Sequence, residues 1–156
     1  MWILAIITII ASLTGYASMT SQIAQASVAD AARVTSFAAN MASYRSGVVN
    51  YANANPAFTG EVTVPDFPTG YAALNPPQWR NAVLADGTIA VYSVGISPPG
   101  LIKGIATLAQ HSVLAGRANT LAGRIEAQGT PADDHVPLPA LPAITNGAAI
   151  WLAHRD

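Results

Sequence analysis

The run RVTSFAANMASYRSGVVNY, residues 33–51, decides the architecture. Its apolar positions Val34, Phe37, Met41, Tyr44, Val48 and Tyr51 follow one another at intervals of 3, 4, 3, 4 and 3. An α-helix turns once in about 3.6 residues, so these six side chains make one packing stripe. Arg33, Ser36, Asn40, Ser43 and Asn50 fall on the opposite face, and alanines, good helix formers, fill the gaps. The segment Ala52-Asn-Ala-Asn-Pro56 ends the helix, because a residue before proline avoids helical backbone angles.

Towards the N-terminus the same helix continues. No proline occurs from Met1 to Asn53, and Gly15 and Gly47 are the only glycines. One helix from about Trp2 to Asn53 is expected, on the order of 75 Å long at 1.5 Å per residue. No acidic, basic or imidazole side chain precedes Asp30, and Trp2, Ile3, Leu4, Ile6, Ile7, Ile9, Ile10 and Leu13 make its first part apolar all round. A bilayer crossing takes about 20 residues, and this run becomes more polar after Leu13. Three readings compete: a retained membrane anchor, a signal segment cleaved near Gly15-Tyr16-Ala17, and a buried helix of a soluble fold. A cleaved signal usually has a basic start, and none precedes this run. The anchor is therefore the expectation, with residues 1–24 inserting in the membrane and residues 25–156 forming a head that includes the amphipathic half of the helix. The nearest basic residue is Arg33, so flanking charge says little about orientation.

Beyond Pro56 the texture changes. Glu61–Val64 alternates and reads as a short strand. Pro65, Pro68, Gly70, Pro76 and Pro77 mark a loop, and Pro77–Leu84 reads as a helical turn with proline near its start. After the Asp86-Gly87 turn, Thr88–Val94 is the best strand in the chain, rich in β-branched and aromatic residues. Leu101, Ile105, Leu108 and Ala109 trace a short helix with Ser97 as its expected cap. Leu-Ala-Gly-Arg occurs at 114–117 and again at 121–124, and two interior glycines favour a hairpin over a helix, with Ala118-Asn119 at its turn. Thr130–Pro142 carries four prolines and reads as an extended connector. Asn146-Gly147 turns into a last strand, Ala148–His154. The fold class is α+β, a long N-terminal helix packed on a small antiparallel sheet. Ile89, Val91, Ile150 and Leu152 are expected to form the face beneath the stripe. Its 3-4 spacing equally suits a coiled-coil contact with a partner helix.

Composition narrows the function. Charged residues are 10% of the chain, against about 25% in soluble domains, which points to a membrane or an assembly. A net charge of −1 offers no basic field for nucleic acid. Without cysteine there is no disulfide and no thiolate metal site. His111, His135 and His154 are scattered, and Asp133-Asp134-His135 is the one acidic–imidazole cluster, more in keeping with a solvated turn than with a cation site. No nucleophile elbow or zinc-protease motif occurs. Neither catalytic activity nor a cofactor is expected.

The long helix feeding a small β-containing head resembles the plan of type IV pilins. A narrower resemblance rests on Met-Trp-Ile-Leu at 1–4, Tyr-Arg-Ser-Gly-Val-Val-Asn-Tyr at 44–51, Asn-Pro-Ala-Phe-Thr-Gly-Glu-Val at 55–62, Ile-Ala-Val-Tyr-Ser at 89–93 and Gly-Ala-Ala-Ile-Trp at 147–151. These segments resemble the PilM proteins of conjugative type IVb (thin) pilus systems, over most of the chain. The resemblance implies an accessory role in pilus biogenesis at the bacterial inner membrane, with the head in the periplasm. It implies other pilus-system proteins as partners, with self-association as a further option, and no catalytic residues. A pilin precursor also has a basic leader and an early acidic residue in its apolar helix, and neither is seen before Asp30. The competing expectation is a secreted or periplasmic, adhesin-like binding module whose N-terminus is removed.

Overall fold

A computed structural model describes the backbone of residues 2–63, 67–68, 71–129, 131 and 135–155, and the surroundings of side chains from residue 25 onward, Ala26 excepted. Helix α1 runs without interruption over Trp2–Ala54. The chain divides into two compact units, Met1–Arg33 and Val34–Asp156. The first is helical throughout its described part. Among the described residues no helix is long and apolar enough to cross a membrane. The run Trp2–Leu13 is helical in backbone, but the environment of its side chains lies outside the described residues.

The second unit is α+β. Its strands are β1 (Trp79–Val83), β2 (Thr88–Ser93), β3 (Ala115–Asn119), β4 (Arg124–Ala127), β5 (Val136–Pro137) and β6 (Ala149–His154), with helix α2 (Leu101–Leu108) between β2 and β3. They form one sheet in the order β1-β2-β6-β3-β4-β5, and every pairing is antiparallel. Alternation assigns the two faces. Trp79, Val83, Ile89, Val91, Ala115, Ala149, Trp151 and Ala153 point to one core, shared with Ala38, Met41, Val48 and Ala52 of α1 and with Leu101 and Ile105 of α2. Ala90, Tyr92, Ala118, Ile125, Ala148, Ile150 and Leu152 point to a second core, covered by Val136, Leu138, Leu141 and Ile144.

Several expectations change. Ile89 and Val91 lie beneath α1, but Ile150 and Leu152 do not. Ile89 is opposite Ala153 and Val91 opposite Trp151, so the even-numbered residues of β6 face away from the helix. The helical turn expected over Pro77–Leu84 is the edge strand β1, because Trp79, Asn81 and Val83 alternate inward. Residues 61–63, the described part of the expected strand Glu61–Val64, do not join the sheet. Gly60 alone bridges to Val83, and beyond it the Asn81 side chain replaces the main chain: its Oδ1 accepts the Val62 N–H at 2.7 Å and its Nδ2 donates to the Val62 carbonyl at 3.0 Å. The hairpin at 112–128 forms, with its turn at 120–123 rather than at Ala118-Asn119. Ser97 does not cap α2. Gly100 takes that place with φ of 83°, and the Ser97 hydroxyl lies 3.2 Å from the Ser93 hydroxyl. A Cβ at Gly104 would lie 3.0 Å from that of Ala38, so glycine lets α2 approach α1 closely. The proline-rich connector contains β5 and supplies the cover of the second core.

Candidate functional site

The stripe residues of α1 are distributed by depth. Met41 and Val48 are completely buried, while Phe37, Tyr44 and Tyr51 are half-buried against the same core. Val34 packs at the rim, 3.3 Å from where a Cβ of Gly100 would stand. Ala38 and Ala52, which the spacing pattern passes over, are as deeply buried as Met41. Small side chains at these positions let the helix sit low on the sheet.

Polar contacts fix the helix in register. Asn40, expected on the solvent face, accepts a hydrogen bond from the Trp79 indole Nε1 at 2.7 Å and donates to the Ala72 carbonyl at 2.8 Å. Arg45 extends across β6. Its Nε and Nη2 donate to the Leu152 carbonyl at 3.3 and 2.9 Å, and its guanidinium lies 4.9 Å from the centre of the Trp151 ring. The Leu152 N–H bonds to Leu114 beyond the first residue of β3, so Arg45 satisfies a carbonyl at the point where the β3 ladder stops. Burial lowers the Arg45 pKa, yet a guanidinium keeps its proton at any ordinary pH. Arg155 ties down the end of α1, with Nη1 donating to the carbonyls of Asn55, Pro56 and Phe58.

Beside α1 lies an aromatic recess of about 300 Å³. Tyr44, Phe67, Tyr71, Leu74, Pro77 and Trp79 line it, and Glu61 stands at its rim. Phe67 and Tyr71 stack at 4.0 Å, and Tyr44 meets Phe67 at 5.5 Å. The Tyr44 hydroxyl accepts from Asn81 Nδ2 at 2.7 Å. Burial pushes the Tyr44 phenol above its ordinary value, against the opposing effect of the Asn81 hydrogen bond, and burial also raises Tyr71. Both phenols are neutral at physiological pH, and Glu61 is paired with Arg80 at 2.9 Å. The recess therefore offers stacking surface and an amide–hydroxyl pair. It presents no activated nucleophile among the described residues.

The histidines stay apart in the fold. His111 is exposed in the α2–β3 connection, His154 is exposed at the end of β6 beside Gly87, and His135 precedes β5. Asp133 and Asp134 lie outside the described residues. Among the described residues no group of acidic and imidazole side chains is arranged to hold a metal ion. Spacing alone did not reveal Phe67, Tyr71, Asn81 or Arg45. The one available signal was the pair Tyr44-Arg45, an aromatic on the stripe followed by a cation.

The sequence model of the family PilM matches residues 8–152. Among functionally curated proteins none matches the chain. The crystal structure of a PilM protein from Escherichia coli B7A superposes with a TM-score of 0.52 at 20% identity, over 80% of this chain and 94% of that one. At that identity the likeness speaks for the fold.

Proposed function

From the premise that the chain belongs to the PilM family of conjugative pilus systems, we propose that it is a non-enzymatic, membrane-anchored accessory component of type IVb conjugative pilus biogenesis. Residues 1–24 insert in the bacterial inner membrane, and residues 25–156 form a periplasmic head that meets other pilus-system proteins. The observation that carries this reading is α1 itself. Its C-terminal part is built into the head core through Met41 and Val48. Its part before Asp30 contains no acidic, basic or imidazole side chain. A protein that displays a folded head from a bilayer needs these two properties in one element. Each large apolar side chain among Trp2, Ile3, Leu4, Ile6, Ile7, Ile9, Ile10 and Leu13 contributes about 1.5–3 kcal/mol when removed from water.

Membrane fractionation tests the proposal. The full chain is expected in the membrane pellet and to require detergent for release. Ile6→Arg with Ile7→Arg is expected to move it to the soluble fraction with its head still folded. A full-length chain with Met1-Trp2 retained by intact mass, yet soluble without detergent, overturns the anchor. Loss of the N-terminal segment by mass supports the adhesin-like module instead.

A further inference from the structure

Three loops meet at one end of the sheet. β2 leaves through Val94, Gly95 and Ile96, the β3–β4 hairpin turns at 120–123, and Asn146-Gly147 leads into β6. They are tied together: Asn146 Oδ1 accepts the Thr120 N–H at 3.0 Å, the Gly147 N–H bonds to Ala118 at 2.9 Å, and a Cβ on Gly147 would touch Ile96 at 3.9 Å. On this end large apolar side chains point into solvent. Leu121 is 91% exposed, Ile96 78% and Val94 52%. The opposite end, with the β1–β2 turn and the α2–β3 connection, exposes apolar side chains less: Leu108 is 47% exposed, Leu114 37% and Val113 36%.

Among the described residues of the second unit, cations outnumber carboxylates at the same end. Lys103 stands exposed in the first turn of α2, and Arg117 and Arg124 flank the hairpin tip with side chains 58% and 42% exposed. One carboxylate, Glu126, answers the two arginines. This is also the end at which α1 enters the second unit, since Val34 lies against Gly100 and Gly104. Exposed aliphatic tips ringed by cations match the interfacial zone of an anionic bilayer, where apolar groups sink to the acyl boundary and Lys and Arg stay with the phosphates.

We infer that this end of the head rests on an anionic lipid surface, with Leu121, Ile96 and Val94 in the interfacial zone and Lys103, Arg117 and Arg124 on headgroup phosphates. The inference rests on the anchor reading above. The nine residues 25–33 that join the proposed inserting segment to Val34 reach on the order of 30 Å at most in any conformation, at roughly 3.3–3.6 Å each. That tether confines the head to the neighbourhood of the membrane and raises the local concentration of lipid at the patch.

The chain has no cysteine, so one can be placed at will. Leu121→Cys and, at the opposite end, Ala85→Cys both alter exposed side chains. Each full-length variant, carrying an environment-sensitive fluorophore, is reconstituted in vesicles of phosphatidylcholine with phosphatidylglycerol and titrated with lipid-borne quenchers. Several-fold stronger quenching at 121 than at 85, weakened by high salt or by vesicles of phosphatidylcholine alone, is the expected result. Equal quenching at both sites in a chain that floats with the vesicles overturns the docking and leaves the anchor standing. A chain that does not float overturns both. Burial of the 121 probe that depends on protein concentration and not on lipid overturns the docking in favour of a second copy.

Discussion

Arg45 follows the stripe residue Tyr44 directly, and its charge is turned inward. Replacing it by alanine leaves the Leu152 carbonyl without its donor and uncovers the Trp151 ring. An unsatisfied buried acceptor costs about 1–3 kcal/mol, and a partly desolvated cation–aromatic contact adds about 0.5–2 kcal/mol. Arg45→Ala is therefore expected to lower stability by roughly 2–4 kcal/mol in urea denaturation, whereas an exposed cation would give almost nothing. Glu126 poses a different residue-scale question. Its hydrogen bonds from Asn119 and Arg117 hold its carboxyl below the usual range. A carboxylate with a depressed folded pKa stabilises above its unfolded value, and that contribution disappears as pH falls through the folded value. The melting-temperature gap between the native chain and Glu126→Gln is thus expected to be present near pH 7 and to close below about pH 4, the ordinary carboxylate range. A gap that widens on acidification would contradict the assignment. The group is partly exposed and its ion pair is solvent-screened, so the gap itself is small.

At the scale of elements, α1 was legible because its repeat is local: the 3-4 spacing needs no knowledge of the rest of the fold. The stripe alone could not rank its members. Phe37 meets Trp79 edge-on with ring centres 6.3 Å apart and is only half-buried, while Met41 is sealed. Met41→Ala is accordingly expected to cost about 2–5 kcal/mol, and Phe37→Ala less than the roughly 3–5 kcal/mol of a sealed phenylalanine; chemical denaturation of the two variants reads the order directly. The strands show where local reading stops. β2 and β6 were evident from composition, but which residues of each share a face depends on register, a non-local property. A slip of one residue exchanges the faces of a strand, and the register opposes Val91 to Trp151. β1 was hidden by Pro77, which starts a helix as readily as it precedes an edge strand. The second core escaped notice because its cover, Val136 to Ile144, has no periodic element to announce it. The aromatic recess is invisible for the same reason: Tyr44 and Tyr71 are 27 positions apart in sequence and meet only through the fold.

At the scale of the whole molecule, a chain this poor in charge organises its few ionisable groups by position. Arg80, Arg117 and Arg124 pair on the surface, while Arg45 and Arg155 bind backbone carbonyls where strands and helix end. The sheet itself is organised around β6. This strand follows the others in sequence yet lies third in the order, between β2 and β3. Until it arrives, β1 and β2 are one hairpin and β3, β4 and β5 another small ribbon, with no ladder between them. Neither fragment has a complete face to offer α1, and isolated hairpins are marginal in water. A nascent chain emerging in N-to-C order therefore holds an open clasp that closes only once β6 joins the two ribbons.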